Sequence, residues 1–220
     1  PFGFFTGATG ITIYRGDAWP AEFHGNLIVG DVANNLIYRA IVKPKGLELV
    51  AERADVGKEF IASRDLWFRP VQFTNAPDGT LYAIDISREL IEGAAFLPPE
   101  FMKYLDPLSG SKQGRIYRIA PRGFSTPATP NLSELTTLQL VLLLDHTNGW
   151  HRDTASRLIY QRQDSSAISA LRQLVQQAQT APGRFTALYA LQGLGALDES
   201  SVLTALIDSE AIVRVHALRV

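Results

Sequence analysis

The sequence predicts a β-rich half followed by an α-helical half, with the change of class near residue 120. Three observations support this fold class. The first half is rich in glycine and aromatic residues, it contains short β-branched runs, and the second half has helical periodicity. Twelve of the 17 glycines and all five lysines precede residue 121. The predicted organisation is a β domain over residues 1–120, a linker over 121–131 and helical repeats over 132–220.

The composition excludes several classes of protein. The chain has 220 residues, of which 46% are hydrophobic and 20% charged, and its formal net charge is -1, so no nucleic-acid partner is expected. The absence of cysteine excludes disulfides, thiolate zinc sites and a covalent haem site in this chain. No apolar run approaches the roughly 18 residues that a membrane-spanning helix needs.

The β half contains short runs of β-branched and aromatic residues separated by turn residues. Four such runs predict strands over residues 10–14, 25–29, 36–42 and 46–50. Residues 43–46 and 76–80 each combine Pro with Gly, which predicts a tight turn at both places. Such short turns join antiparallel strands, because parallel strands need a long crossover connection.

An internal repeat links two parts of the β half. The pattern of an apolar strand, an Asp, a turn and an Ile-Tyr-Arg strand occurs first over residues 26–39 and again over residues 80–118. The second copy contains an insertion, residues 86–114, in which a short helix is predicted over 101–105. Repeated antiparallel units are typical of propeller blades, so this half is predicted to form the terminal blades of a β-propeller. Since two blades do not close a ring and the chain starts without Met, we expect a fragment.

The helical half has a repeat of its own. Arg152, Arg184 and Arg214 are each followed three residues later by Ala, and they are separated by 32 and 30 residues. A small residue at a fixed place lets neighbouring helices approach closely, and we expect the arginines to contact turn acids such as Asp153, Asp208 or Glu210. The first helix is predicted to begin with Ser133 as its N-cap. The pattern predicts a solenoid of helix pairs.

A family resemblance rests on three motifs of the β half. Arg-Pro-Val at 69–71, Pro-Asp-Gly-Thr-Leu-Tyr at 77–82 and Gly-Arg-Ile-Tyr-Arg at 114–118 resemble the closing blade of the soluble quinoprotein glucose and sorbosone dehydrogenases. With Trp19-Pro20 and the helical repeats added, nearly the whole chain resembles the membrane-bound dehydrogenases common in Planctomycetes. The helical half is similar to HEAT repeats.

The resemblance implies an exported, periplasmic sugar or alcohol dehydrogenase that is associated with the membrane through regions outside this chain. It implies pyrroloquinoline quinone and calcium as cofactors, a catalytic base upstream, a cytochrome c domain downstream, and a protein partner for the HEAT-like repeats. The chain alone is expected to be inactive. Two alternatives stay open: a non-catalytic propeller-solenoid scaffold that binds a polysaccharide or a protein, and a lactonase-like metal-dependent hydrolase.

Two residues are candidates for binding the cofactor. Arg69 is the candidate cation for the quinone carboxylates, because the guanidinium fork matches a carboxylate. Its alternative is a salt bridge with Asp65 or Asp85. The resemblance implies a cation near the end of the propeller, and the turn over residues 32–35 offers Asn34 in its place.

Three further residues are candidates for a substrate channel. Asp31 and Asp85 end equivalent strands of the repeat, where their carboxylates either face the channel or accept hydrogen bonds from turn amides. Arg88 follows Asp85 by three residues and either reaches the channel or pairs with that carboxylate.

Overall fold

The computed structural model describes residues 6–46, 48–91 and 97–220. Over these residues eight β-strands precede six α-helices, which confirms the predicted fold class of a β part followed by an α part. The chain divides into two compact units, Pro1–Ser125 and Thr126–Val220, and we call them the β unit and the helical unit. The division falls inside segment 121–131.

The first sheet of the β unit contains five strands: β1 (Ala8–Ile13), β2 (Leu27–Asp31), β3 (Leu36–Lys45), β4 (Glu48–Arg53) and β5 (Ile61–Ala62). The first four are neighbours in chain order, and β5 pairs with the start of β3. Every pair is antiparallel. This meander has the topology that the short predicted turns require.

The hairpin between β3 and β4 corrects one expectation. Residues 43–46 are predicted as its turn, but Pro44 lies within β3 and pairs with Leu49. Proline is tolerated there because β2 pairs with β3 only as far as Ala40, so no described strand pairs with the other side of β3 at this point. Gly46 then follows with a φ of 64°, a conformation that glycine adopts without steric cost.

The second sheet is a three-stranded antiparallel meander of β6 (Pro70–Asn75), β7 (Leu81–Asp85) and β8 (Arg115–Ile119). The predicted turn over residues 76–80 is confirmed between β6 and β7. The amide of Gly79 donates to the carbonyl of Ala76 at 3.0 Å, and Gly79 has a φ of 82°. The insertion between β7 and β8 contains a short 3-10 helix, Phe101–Lys103, within the segment where a helix is predicted.

The two sheets pack together chiefly through their first strands, β1 and β6. Oγ1 of Thr9 donates to the carbonyl of Pro70 at 2.6 Å, and Oη of Tyr14 donates to the carbonyl of Gly79 at 2.6 Å. A Cβ on Gly30 would lie 2.7 Å from the carbonyl oxygen of Pro70, so this position has no room for a side chain. The shared core is formed by buried apolar side chains: Tyr14, Ile28, Ile37, Phe68, Phe73, Leu81 and Ala83.

The helical unit contains α1 (Thr137–Leu143), α2 (Gly149–Arg162), α3 (Ile168–Gln177), α4 (Ala181–Gly193), α5 (Glu199–Leu206) and α6 (Ala211–Ala217). Its core is built from fully buried residues of successive helices, among them Leu140, Ile159, Leu171, Leu188 and Val213. No helix among the described residues is long and apolar enough to cross a membrane.

The start of the helical unit corrects a second expectation. Ser133 lies inside a 3-10 helix, Leu132–Glu134, and the N-cap of α1 is Thr136. Thr136 and Gln139 form a capping box, in which each side chain accepts a hydrogen bond from the other residue's backbone amide. The prediction of Ser133 as the N-cap of α1 is wrong because Ser133 lies inside a short 3-10 helix whose own N-cap is Asn131.

The repeated arginines each hydrogen-bond to the turn that precedes their own helix. The guanidiniums of Arg152, Arg184 and Arg214 all donate to the carbonyl six residues earlier in the chain. Arg184 also forms an ion pair with Asp208 of the following turn at 2.6 Å, which confirms the expected contact with a turn acid. The alanines that follow these arginines are buried, as their predicted packing role requires: Ala155, Ala187 and Ala217.

Candidate functional site

The five candidate residues gather at one edge of the two sheets of the β unit, where β2 and β7 end. Asp31 is the last residue of β2 and Asp85 is the last residue of β7. The backbone amide of Arg69 donates to Oδ1 of Asp85, and its guanidinium donates to the carbonyl of Val32, the residue after Asp31. We call these residues, with Asn34, Arg88 and Arg115, the strand-end cluster.

The carboxylate of Asp31 closes the turn between β2 and β3. It is fully buried and accepts five hydrogen bonds, from the amides of Thr6, Gly7, Ala33 and Asn34 and from Nδ2 of Asn34. Burial would raise the pKa of Asp31, but the hydrogen bonds outweigh it, so the pKa lies below its usual value. These bonds occupy the carboxylate, which corresponds to the alternative of an Asp accepting turn amides.

Asp85 repeats this arrangement at the end of β7. Its Oδ1 accepts from the amide of Ser87 at 2.7 Å, two residues ahead, as Asp31 accepts from Ala33. It also accepts from the amide of Arg69 at 2.8 Å. Arg69 immediately precedes β6, as Gly7 immediately precedes β1. The repeat seen in the sequence is therefore a structural motif in which a buried Asp ties its own turn to the start of the preceding strand.

The guanidinium of Arg69 is occupied by backbone carbonyls. Its nitrogens donate to the carbonyls of Val32 at 2.6 Å, Glu89 at 2.7 Å and Arg88 at 3.0 Å. Burial is the main cause that lowers the pKa of Arg69, and the nearby carboxylates of Asp85 and Asp65 oppose it. The side chain thus fastens the start of β6 to the turn after β2 and to the insertion after β7.

Asn34 and Arg88 occupy the periphery of the cluster. Nδ2 of Asn34 donates to Oδ2 of Asp31 and to Oγ1 of Thr6, both at 2.9 Å, so its amide supports the turn. Nη2 of Arg88 lies 3.5 Å from the carbonyl oxygen of Ser111 within the insertion. The partner proposed for Arg88 from the sequence, Asp85, is approached by a different cation.

That cation is Arg115, which the sequence analysis did not select. Its Nε lies 3.4 Å from Oδ2 of Asp85, and its Nη1 donates to Oδ2 of Asp65 at 2.9 Å. Nη2 donates to Oγ of Ser87 at 2.8 Å. The hydrogen bond to Asp65 is the main cause that raises the pKa of Arg115. The repeat gave no signal for it, because the first copy has Leu36 opposite Asp31 where the second copy has Arg115 opposite Asp85.

Oδ2 of Asp85 is the least satisfied polar atom of the cluster. It is buried and, among the described residues, it has no hydrogen-bond partner apart from the ion-pair contact with Arg115. A buried carboxylate oxygen of this kind is held by the charge of its neighbouring guanidinium. The Asp85–Arg115 ion pair therefore supplies the charged neighbour of this oxygen.

The described residues of the strand-end cluster do not fit the quinone and calcium that the resemblance implies. Arg69 donates to three carbonyls and the carboxylate of Asp31 accepts five hydrogen bonds, so neither presents a free binding group. No group of three or more His, Asp and Glu side chains that could hold a metal ion occurs among the described residues. We therefore derive no chemical step through either cofactor on this chain.

Beside the cluster, an open cleft of about 400 Å³ lies between β5 and β8. Its walls are mostly apolar and include Ile37, Ile61, Phe68, Tyr117 and Ile119. The rings of Phe68 and Tyr117 meet edge to face, with centroids 5.7 Å apart. The cleft lies along the outer strand of the second sheet, and β8 has no further strand beside it in the described part of the chain.

The β unit matches one known family. The matching family is described as Domain of unknown function (DUF7133), and the match covers residues 1–123, more than half of the chain. The chain belongs to the DUF7133 family. No curated protein and no solved structure matches it. The strand-end cluster and the cleft lie within the DUF7133 domain, and the helical unit follows the matched residues.

Proposed function

We propose that this chain is part of a β-propeller oxidoreductase of the quinoprotein sugar and alcohol dehydrogenase type. It supplies two blades and a HEAT-like helical domain to an exported protein that oxidises a sugar or alcohol. In the whole protein, a bound quinone would accept electrons from the substrate, and a cytochrome c domain would receive them. Within the β unit, the strand-end cluster holds the blades in register and performs no chemistry of its own.

The arrangement of the two sheets carries this proposal. Each sheet is an antiparallel meander, the first strands β1 and β6 pack against each other, and the second strands both end in a buried Asp with equivalent amide partners. Consecutive propeller blades repeat one meander in this manner. The three sequence motifs of the resemblance lie in the second of these sheets.

The bonding of the cluster supports a framework role for it. A residue that binds a cofactor or substrate keeps donors or acceptors available for that ligand. In the cluster, the guanidinium of Arg69 and the carboxylate of Asp31 are instead satisfied by backbone groups of the same unit. The reacting groups of the proposed enzyme therefore belong to other blades.

The proposal is tested on the full-length protein by reduction of the dye 2,6-dichlorophenolindophenol with a panel of aldoses and alcohols. We expect dye reduction that requires both added pyrroloquinoline quinone and calcium. The 220-residue chain alone is expected to reduce no dye under the same conditions. Failure of the full-length protein with every substrate, or turnover by the 220-residue chain alone, would contradict the proposal.

A specific observation favours a second candidate, the non-catalytic scaffold. The cation selected for the quinone, Arg69, donates its side-chain hydrogen bonds to three backbone carbonyls among the described residues. A scaffold needs such a framework and no reacting group. Binding of the full-length protein to a polysaccharide or protein partner, without dye reduction, distinguishes this candidate. The lactonase-like alternative is favoured by no observation, since Asp31 and Asp85 both accept turn amides.

A further inference from the structure

The helical unit carries a groove that the proposed oxidation does not use. It lies between α2 and α4 and has a volume of about 440 Å³. Two aromatic side chains line it, Tyr160, which is 61% exposed, and Tyr189, whose hydroxyl is 2.9 Å from Nδ1 of His216. The polar side chains of Asp153, Ser156, Arg157 and Thr186 complete the lining.

Most arginines of the helical unit are engaged within the protein. Five of the seven either donate to backbone carbonyls or pair with an Asp: Arg152, Arg162, Arg172, Arg184 and Arg214. The side chains of the remaining two, Arg157 and Arg219, are exposed and make no hydrogen bond or ion pair within the helical unit, all of whose residues are described. Their charges are available to a partner.

These two arginines hold equivalent positions in the helical repeat. Arg157 lies five residues after Arg152, and Arg219 lies five residues after Arg214. The same position of the middle repeat is occupied by Tyr189, five residues after Arg184. Arg157 and Tyr189 line the same groove, and the hydroxyl of Tyr189 contacts His216 of α6, three residues before Arg219. The result is a row of cation, aromatic ring and cation.

We propose that this row, Arg157, Tyr189 and Arg219, together with the adjoining groove, binds an extended acidic segment of a protein partner. Two unpaired guanidiniums attract carboxylates and can each bind one in bidentate fashion. The exposed ring of Tyr160 offers a contact for an apolar side chain of the same segment. A peptide backbone matches the polar lining, because the hydroxyls of Ser156 and Thr186 can both accept and donate hydrogen bonds.

The spacing of the repeats sets the spacing of the acidic residues. Packed helices lie about 8 to 10 Å apart, so a cation on α2 and one in the turn that follows α6 are separated by roughly 20 Å. An extended chain rises about 3.3 Å per residue, and it covers this distance in about six residues. The geometry therefore favours a segment with two acidic residues about six positions apart and an apolar residue between them.

A direct test uses the 220-residue chain and the fluorescein-labelled heptapeptide Glu-Leu-Ser-Leu-Ser-Leu-Glu, with binding measured by fluorescence anisotropy. We expect saturable binding that weakens as salt is raised. The variants Arg157→Gln and Arg219→Gln are each expected to weaken it about threefold, and the double variant about tenfold or more. Arg172→Gln removes the same charge from an exposed pair with Asp198 and serves as the matched control, with affinity expected within about twofold of wild type.

The outcomes separate the proposal from its rivals. Circular dichroism and the thermal midpoint of every variant show whether its fold is retained, and both substituted arginines are exposed. Absence of heptapeptide binding, equal loss in Arg172→Gln, or equal binding of the matching peptide with Lys in place of Glu would overturn the proposal. Heparin that binds through Arg157 and Arg219 more tightly than the heptapeptide would also overturn it, since the ligand would then be an anionic polysaccharide. None of these readouts depends on dye reduction.

Discussion

The amide of Arg69 donates to Oδ1 of Asp85 at 2.8 Å, while the guanidinium of the same arginine donates to three backbone carbonyls elsewhere. The charge of Asp85 is met instead by Arg115. One residue thus connects the start of β6 to two other chain segments through its backbone and side chain together. Arg69 therefore has a structural role in holding these segments together, and this role predicts how its replacement changes stability.

Replacing Arg69 with Ala should lower stability and leave ligand binding by folded protein unchanged. The change removes charge-assisted hydrogen bonds to three carbonyls, and we expect a loss of about 1 to 3 kcal/mol in the free energy of unfolding. Thermal and urea denaturation of the chain measure it. Arg88→Ala is the control, because the one hydrogen bond of its side chain among the described residues is a long contact from Nη2 to Ser111, and its expected effect is below about 0.5 kcal/mol. Equal stability of Arg69→Ala and wild type would refute the structural role of Arg69.

Asp31→Asn should destabilise the protein in a pH-dependent manner. Because the folded pKa of Asp31 is lowered, its carboxylate contributes stability that is fully present above the unfolded pKa of about 3.9. That contribution is lost as the pH falls through the lowered folded pKa. The stability difference between wild type and Asp31→Asn should therefore be largest near pH 7 and shrink below about pH 4.

Urea denaturation at a series of pH values tests this dependence. Glu48→Gln neutralises an exposed carboxylate at the start of β4 and provides the control, whose difference from wild type should stay small at every pH. If the difference in the free energy of unfolding between wild type and Asp31→Asn is constant between pH 3 and pH 7, the charge of Asp31 does not stabilise the turn.

Thr136→Ala should weaken the start of α1. The substitution removes the side chain that accepts from the amide of Gln139 in the capping box, and the expected loss is about 1 kcal/mol. Ser133→Ala is the matched control, since Ser133 does not cap α1 and its hydroxyl donates to exposed Asn131. Thermal melts followed by circular dichroism at 222 nm compare them. A larger loss for Ser133→Ala would restore Ser133 as the N-cap.

The edge of β8 should promote self-association of the chain. β8 lies at the end of its sheet and Ile116 on it is 71% exposed, and exposed apolar edge strands pair with other chains. Light scattering at rising protein concentration should show association that Ile116→Lys reduces. Leu138→Lys changes an exposed apolar residue of α1 in the same way and should have little effect. A wild-type chain that stays monomeric at all concentrations would show that the exposed edge of β8 does not mediate self-association.

Part of the candidate site was visible in the sequence because it rests on local chemistry. An Asp after an apolar strand and before a turn accepts the amides of that turn, so Asp31 and Asp85 could be selected together from the internal repeat. Arg115 was missed for the opposite reason. Its partners Asp65 and Asp85 lie 50 and 30 residues earlier, and only the pairing of β7 with β8 brings it to them.

The sequence by itself determined the order of β and α parts, the antiparallel connections and the helical repeat. These features depend on periodicity, turn residues and short-range spacing, which act within about ten residues. The tertiary structure alone decided that Arg69 bonds carbonyls at Val32, Arg88 and Glu89. It also decided that Pro44 stays in a strand and that Thr136 is the cap of α1. The physical reason is that hydrogen-bond partners are assigned by competition among all groups brought together in the fold, and one residue's type does not reveal which competitor is near.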